Sequence, residues 1–287
     1  MMDLVLYNLM KIIWKWPFFL LIFVKISFIM NKTASWEGNC LGEIIAVLSG
    51  KGGTGKTSFT ACVSLALAAM GYSTLALDCD ITLRNLDLAL GLSDSAAMDF
   101  SDVLEGRCTL EEAAAPHRKY PKLSLLAAPL APVGSRFSVE AMGALANQIR
   151  ERYDYCLIDA PAGLGQGFTL ATAAADSVVV VTTTDPAALR DAQRTVMELR
   201  RFGTGQVHLV VNRVQKKMLK ALHTTIDDAM DTAGLPLLGV IPEDGDIPLA
   251  LNRGIPLGDT SYYAQRAYEN IAKRITGQRV PLLRARW

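Results

Sequence analysis

A chain of 287 residues in which 51% of side chains are hydrophobic and 20% charged is too apolar for a disordered polyelectrolyte. Its 29 basic and 28 acidic residues leave a formal charge of +1, so no global basic field is present to hold nucleic acid. Five cysteines without a CxxC pair, and three scattered histidines, exclude a disulfide framework and a tetrahedral zinc or cluster site built within one chain. The cysteines read as small core residues in a reducing compartment.

Mean hydropathy is +0.23, which raises the question of membrane residence. The apolar excess sits at the ends. Trp14, Trp16 and Trp36 precede residue 40, Trp287 closes the chain, and the body between them has no Trp. Residues 1–42 form an irregular hydrophobic extension. Its uninterrupted apolar run, Trp16–Val24, lies between Lys15 and Lys25 and contains Pro17. That is short of the ~20 residues a spanning helix needs. Three readings stand. The segment is a gene-start artefact or tail ahead of a true start at Met30, a membrane-contacting anchor, or an export signal. For the last, no small-x-small cleavage pattern follows.

From Ile44 the pattern changes. Apolar runs of strand length alternate with helical patterns, which predicts parallel strands joined by right-handed crossovers. Strands are expected at Ile44–Leu48, Thr74–Leu77, Leu123–Ala127, Tyr155–Ile158, Ser177–Thr182, Val207–Val211 and Leu237–Ile241. Helices are expected at Lys56–Met70, closed by Gly71, and at Ser138–Arg152, Pro186–Arg201, Lys216–Ala233 and Ser261–Thr276. The strands are near-continuously apolar, as when helices cover both faces of a sheet. The expected architecture is α/β: one domain over residues 43–277, a mostly parallel twisted sheet with helices on both faces.

The first strand leads into Gly50, Lys51, Gly52, Gly53, Thr54, Gly55, Lys56 and Thr57, followed by Ser58 at the start of a helix. This fits G-x-x-x-x-G-K-[ST] in full, in the strand–loop–helix context that the motif requires, so residues 43–277 are expected to form a single P-loop (phosphate-loop) NTPase domain. The glycines let backbone N–H groups turn onto phosphate oxygens, and the helix presents its positive end to the same anion. Lys56 is expected on the β/γ-phosphates and the Thr57 hydroxyl on Mg²⁺. Two further strand ends carry acids. Asp78 and Asp80 follow Leu77, and Asp159 follows Ile158. A buried strand-end acid beside a phosphate loop suits a Mg²⁺-holding role for Asp159, and Asp78 is expected to support that shell. The glycine-rich run after Asp159 includes Gly163, whose N–H is expected to meet the γ-phosphate and move after hydrolysis. No guanine-reading N-K-x-D occurs, so ATP is favoured over GTP.

The second lysine in the loop, Lys51, makes it K-G-G-x-G-K-T. Here the sequence resembles the MinD/ParA family of deviant Walker A ATPases, over nearly everything from Ile44 to about Thr276. Asp80–Gly91 (DITLRNLDLALG), Asp159–Gly163 (DAPAG), Asp185–Arg194 (DPAALRDAQR) and Gly239–Asp244 (GVIPED) resemble its MinD branch more than its plasmid-partition branch. The resemblance implies an ATP- and Mg²⁺-dependent homodimer in which Lys51 touches the partner's phosphates. It implies that Asp80 orients the attacking water and that Asn212 and Pro242 flank the adenine. It also implies an ATP-bound dimer on an anionic membrane, recruiting the inhibitor MinC under a MinE-like or equivalent regulator. The expected location is the cytoplasm, with reversible association at the inner face of the cell membrane.

One departure concerns the tail. The family usually ends in a basic amphipathic helix, whereas residues 278–287 read QRVPLLRARW. Pro281 with Leu282, Leu283 and Trp287 beside Arg279, Arg284 and Arg286 gives either a short interfacial anchor or a polar tail. Alternative functions are a chromosome-partition ATPase, a flagellar-number regulator and a metal-cluster carrier. The first would use Lys216, Lys217 and Lys220 on nucleic acid, but neutral charge weighs against that. The last would need bridging cysteines.

Overall fold

The structure, a computed structural model, describes residues 41–93, 95, 97–129 and 137–282. The expectations for residues 1–40 and for the tail beyond Leu282 lie outside the described residues. Eight strands form one sheet: β1 Glu43–Leu48, β2 Thr74–Asp78, β3 Ala115–Pro116, β4 Leu123–Leu126, β5 Tyr155–Asp159, β6 Ser177–Thr182, β7 Gln206–Val214 and β8 Leu237–Pro242. Their order is β3-β4-β2-β5-β1-β6-β7-β8, and every pairing is parallel except β3 with β4. The helices are α1 Lys56–Ala69, α2 Leu86–Leu90, α3 Phe100–Leu104, α4 Leu110–Ala113, α5 Val139–Arg152, α6 Gln166–Ala174, α7 Pro186–Phe202, α8 Lys216–Leu222, α9 Ile226–Ala233, α10 Asp246–Asn252 and α11 Gln265–Ile275.

The seven expected strands are all present, and their apolar composition has the expected cause. Along β1, Ile44, Ala46 and Leu48 pack into a core with α5, α6 and α7, while Ile45 and Val47 pack into another with α1 and α11. Period-two alternation on a strand buried on both sides erases the polar positions. Phe59 of α1 is fully buried against the second face, a burial worth about 2–3 kcal/mol.

Sheet order places the site. From β1 the chain crosses to β2 on one side, and after β5 it crosses to β6 on the other, so β5 and β6 flank β1. The carboxyl ends of β1, β2 and β5 meet where the direction reverses, the position where open α/β sheets bind ligands.

Two helical expectations need correction, and one helix is added. Lys216–Ala233 is two helices, not one, broken at His223, which sits at φ +49°. Thr225 restarts the chain with a reciprocal cap: its hydroxyl accepts from the Asp228 N–H, and its own N–H donates to the Asp228 carboxylate. The last helix begins at Gln265, not Ser261, because the Asp244 carboxylate accepts from the Ala264 N–H at 2.7 Å and sets the start there. The glycine-rich run after Asp159 is followed at once by α6, a helix not among those expected. At the other end, the Arg274 guanidinium donates to the carbonyls of Val280 and Pro281, and residues up to Leu282 add no regular element.

Candidate nucleotide site

The loop between β1 and α1 is built for close approach. A Cβ on Gly50 would stand 2.4 Å from the Asp191 carbonyl of α7, so only glycine lets the strand end pass. Gly55 lies at φ +90°, and a Cβ there would meet Asn212 Nδ2 at 2.3 Å. Gly55 is also the residue before α1, and no side chain caps that helix. Its first-turn N–H groups are thereby left for an anion. Thr54 Oγ1, in the middle of the loop, is buried without a hydrogen-bond partner. An orphaned hydroxyl, uncapped amides and two adjacent carboxylates around one lysine fit a phosphate group with its counter-cation.

Lys56 opens α1 and is only 8% exposed. Burial pulls its pKa below the ordinary value, while Asp159 and, less strongly, Asp80 push it back up. Asp159, ending β5, is buried, which raises its pKa to about 6 against the hydrogen bond from Thr57. The Thr60 hydroxyl also donates to it, at 3.5 Å. Thr57 and Asp159 are hard oxygen donors on adjoining elements, the type Mg²⁺ takes in phosphate-loop sites. When bound, the ion supplies positive charge at the phosphate oxygens.

Asp78 stands beside Asp159 in register at the end of β2. Its oxygens accept from the N–H groups of Asp80 at 2.9 Å and Leu86 at 3.2 Å. Burial first, and then Asp159, raise its pKa to about 7. Asp78 thereby shapes the following loop, and its place beside Asp159 keeps it next to the Mg²⁺ shell it is expected to support. That loop carries Asp80. Asp80 Oδ1 accepts from the N–H groups of Thr82 and Leu83, at 3.1 and 3.2 Å, which holds its carboxylate at the rim of the site. Gly163 sits nearby at φ +89°, but its N–H donates to the Ser49 carbonyl at 3.1 Å. Meeting a phosphate requires that bond to open.

Lys51 points elsewhere. Its ammonium donates to Asp185 Oδ2 at 3.2 Å, and both side chains are half-exposed. Asp185 precedes α7 and caps it through the Ala187 N–H. A cavity of about 540 Å³ opens here, bordered by Lys51, Gly53, Asp185, Arg213 and Met218. A second cavity, of about 220 Å³, lies on the other side of Gly53, bordered by Gly55, Ser58, Asn212, Pro242 and Tyr268. Its size and place beside the loop suit a purine. The structure does bring Asn212, Pro242 and Ser58 together around it. Asn212, however, spends its groups on protein: Nδ2 donates to the Thr54 carbonyl at 2.8 Å, and Oδ1 accepts from the Arg213 N–H at 2.9 Å. Sequence reasoning assigned no role to Asp185, Thr60, Arg213 or Glu243. Asp185 followed by Pro186 does mark a helix start, but nothing in that pattern announces a partner for Lys51.

A phosphate loop at the switch point of a parallel sheet, with a buried lysine, a hydroxyl and an acid converging on it, defines a nucleoside triphosphate-binding domain. Residues 45–257 match the family model described as the CobQ/CobB/MinD/ParA nucleotide binding domain. The septum site-determining protein MinD of Synechocystis sp. is 37% identical over 246 residues, covering 85% of this chain and 92% of that protein. Among solved structures, MinD in the MinC:MinD cell division protein complex of Aquifex aeolicus superposes with a TM-score of 0.78 at 34% identity, covering 85% of this chain and 99% of that one. The septum site-determining protein MinD complexed with Mg-ADP from Pyrococcus horikoshii superposes at 0.70 with 30% identity, covering 82% and 96%. The chain belongs to the MinD family of septum-site-determining, Mg²⁺- and ATP-dependent ATPases.

Proposed function

We propose that this chain is an ATP-driven dimerisation switch in the placement of the division site. Two copies close over two nucleotides. In each, Lys56 and Thr57 serve the chain's own phosphates, and Lys51 leaves Asp185 to reach the partner's. Asp80 orients the attacking water, and Asp159 with Thr57 holds Mg²⁺. The ATP-bound dimer recruits a MinC-like inhibitor at an anionic membrane surface and is reset by a MinE-like or equivalent regulator. The protein moves between the cytoplasm and the inner face of the cell membrane. The observation that carries this reading is the division of labour between the two lysines of one loop. One is buried at the phosphate cradle, and the other is held outside it on a surface partner.

The test uses Asp80→Ala, which blocks turnover while sparing the loop. With saturating ATP and Mg²⁺ it is expected to run as a dimer by light scattering and to co-sediment with anionic vesicles. A monomer under those conditions sinks the sandwich. A dimer that stays in the supernatant sinks the membrane step alone.

A further inference from the structure

Arg213 has a backbone that arginine does not adopt cheaply, with φ +55° in the left-handed region. The register of β7 against β8 shifts between Val211 and Val214. The strand therefore leaves its ladder where Asn212 and Arg213 stand, and the departure turns two consecutive side chains onto the phosphate loop. Asn212 holds the Thr54 carbonyl, and Arg213 Nη1 donates to the Gly53 carbonyl at 3.2 Å. The rest of the guanidinium fork goes to Glu243: Nε to Oε2 at 2.9 Å and Nη2 to Oε1 at 3.1 Å. Glu243 follows β8 and is itself fixed, its N–H donating to the Val214 carbonyl at 3.0 Å.

Gly53, Arg213 and Glu243 border both cavities, so this chain of bonds is the wall between the candidate base cavity and the Lys51 cavity. Gly53 lies at φ +79°, and a Cβ there would meet nothing within 4 Å. The Arg213 hydrogen bond fixes the carbonyl of this residue. A carbonyl pulled outward leaves the neighbouring N–H groups facing inward, the arrangement that cradles an anion.

We propose that Arg213, oriented by Glu243, is a positioning residue that sets the Gly52–Thr54 peptides in phosphate-binding geometry. The proposal rests on the nucleotide reading above. Without the brace, Asn212 still holds the Thr54 carbonyl, but the ligand must order the Gly53 peptide, and that entropy is subtracted from affinity. The loss should then follow the phosphates and be indifferent to the base.

The experiment measures calorimetric binding of Mg-ADP and of Mg-pyrophosphate to the wild-type chain, Glu243→Gln, Arg213→Lys and the double variant. Glu243→Gln is expected to weaken both ligands by the same factor, about three- to tenfold, as for the loss of one charge-assisted bond. Arg213→Lys should lose at least as much, because lysine lacks the planar fork whose three nitrogens reach Gly53 and both Glu243 oxygens at once. The double variant should lose no more than Arg213→Lys, since Glu243 acts through Arg213. A loss confined to ADP overturns the brace in favour of a direct base or ribose contact. Additive losses, or none, overturn it as well. If Arg213→Lys does not fold, the Glu243→Gln pair of measurements decides by the same criterion. Lys56→Ala is the control. Should wild type bind neither ligand, or Lys56→Ala keep both, the phosphate-loop reading itself fails.

Discussion

Lys51 and Lys56 belong to one loop and have opposite surroundings. Lys56 is sealed at the start of α1 between Asp159 and Asp80, and burial depresses its pKa in spite of both acids. Lys51 stands half-exposed on Asp185, and such a surface ion pair is worth only about 0–1 kcal/mol. The contrast shows how one short motif holds a fixed part and a movable part. A desolvated ammonium stays only where opposite charge compensates it, so Lys56 has nowhere to go. A solvated ammonium with a weak partner gives it up readily when a better anion arrives.

The contrast breaks most directly at the buried residue. Lys56→Ala is expected to weaken ADP and ATP binding by at least about 100-fold, the scale of a desolvated charge-assisted contact. Retained binding by calorimetry would mean that the cradle does not depend on it. Lys51→Ala should leave the ATP dissociation constant within about threefold, yet lower turnover by about 100-fold, as when a charge supplied across an interface is withdrawn. A variant that hydrolyses ATP at the wild-type rate refutes the deviant-loop reading.

Acidity sharpens the comparison further. Phosphate binding needs Lys56 protonated, and its pKa lies below the ordinary lysine value because burial disfavours the charge. As pH rises, the ammonium is lost earlier than an exposed lysine's would be. ADP affinity should therefore decline on the alkaline side before ordinary lysines titrate. Lys51→Ala should follow the same curve, and a curve that changes with Lys51 would place the titrating group wrongly. The smallest effect belongs to Asp185→Asn. The amide oxygen can still cap α7 at Ala187, while the ion pair is gone. The ATP-dependent dimer should tighten by no more than about fivefold in sedimentation, with ADP binding unchanged. A larger shift would give Asp185 a role beyond holding Lys51.

Much of the frame was legible in the residues. Strands β1, β2 and β5 announce themselves as apolar runs ending in a loop or an acid, because both sheet faces are covered. The longer helices show their caps, as at Ser138, whose hydroxyl accepts from the Ala141 N–H, and at Asp185. What escaped was short or long-range. The helices α2, α3 and α4 are of one turn or little more, too brief for a 3.6-residue period to register. The break at His223 escaped because an amphipathic pattern continues across it, and only the Thr225–Asp228 cap reveals two helices. Asp78 is legible from its strand-end position as an acid beside the phosphate loop, but its two backbone partners are not. Its use on the Asp80 and Leu86 amides depends on how the following loop folds back.

The phosphate loop was determined by sequence alone. Its eight residues are contiguous, and glycine, lysine and threonine at those spacings leave one chemical use for a turn between strand and helix. The tertiary structure decided what surrounds it. Lys51 meets Asp185 across 134 positions, Asn212 reaches Thr54 across 158, and Arg213 reaches Gly53 across 160. Those pairings exist because β6 and β7 follow β1 in the sheet, bringing distant side chains to one edge. Local periodicity encodes backbone hydrogen bonds and buried faces. Which polar groups finally meet is set by strand order.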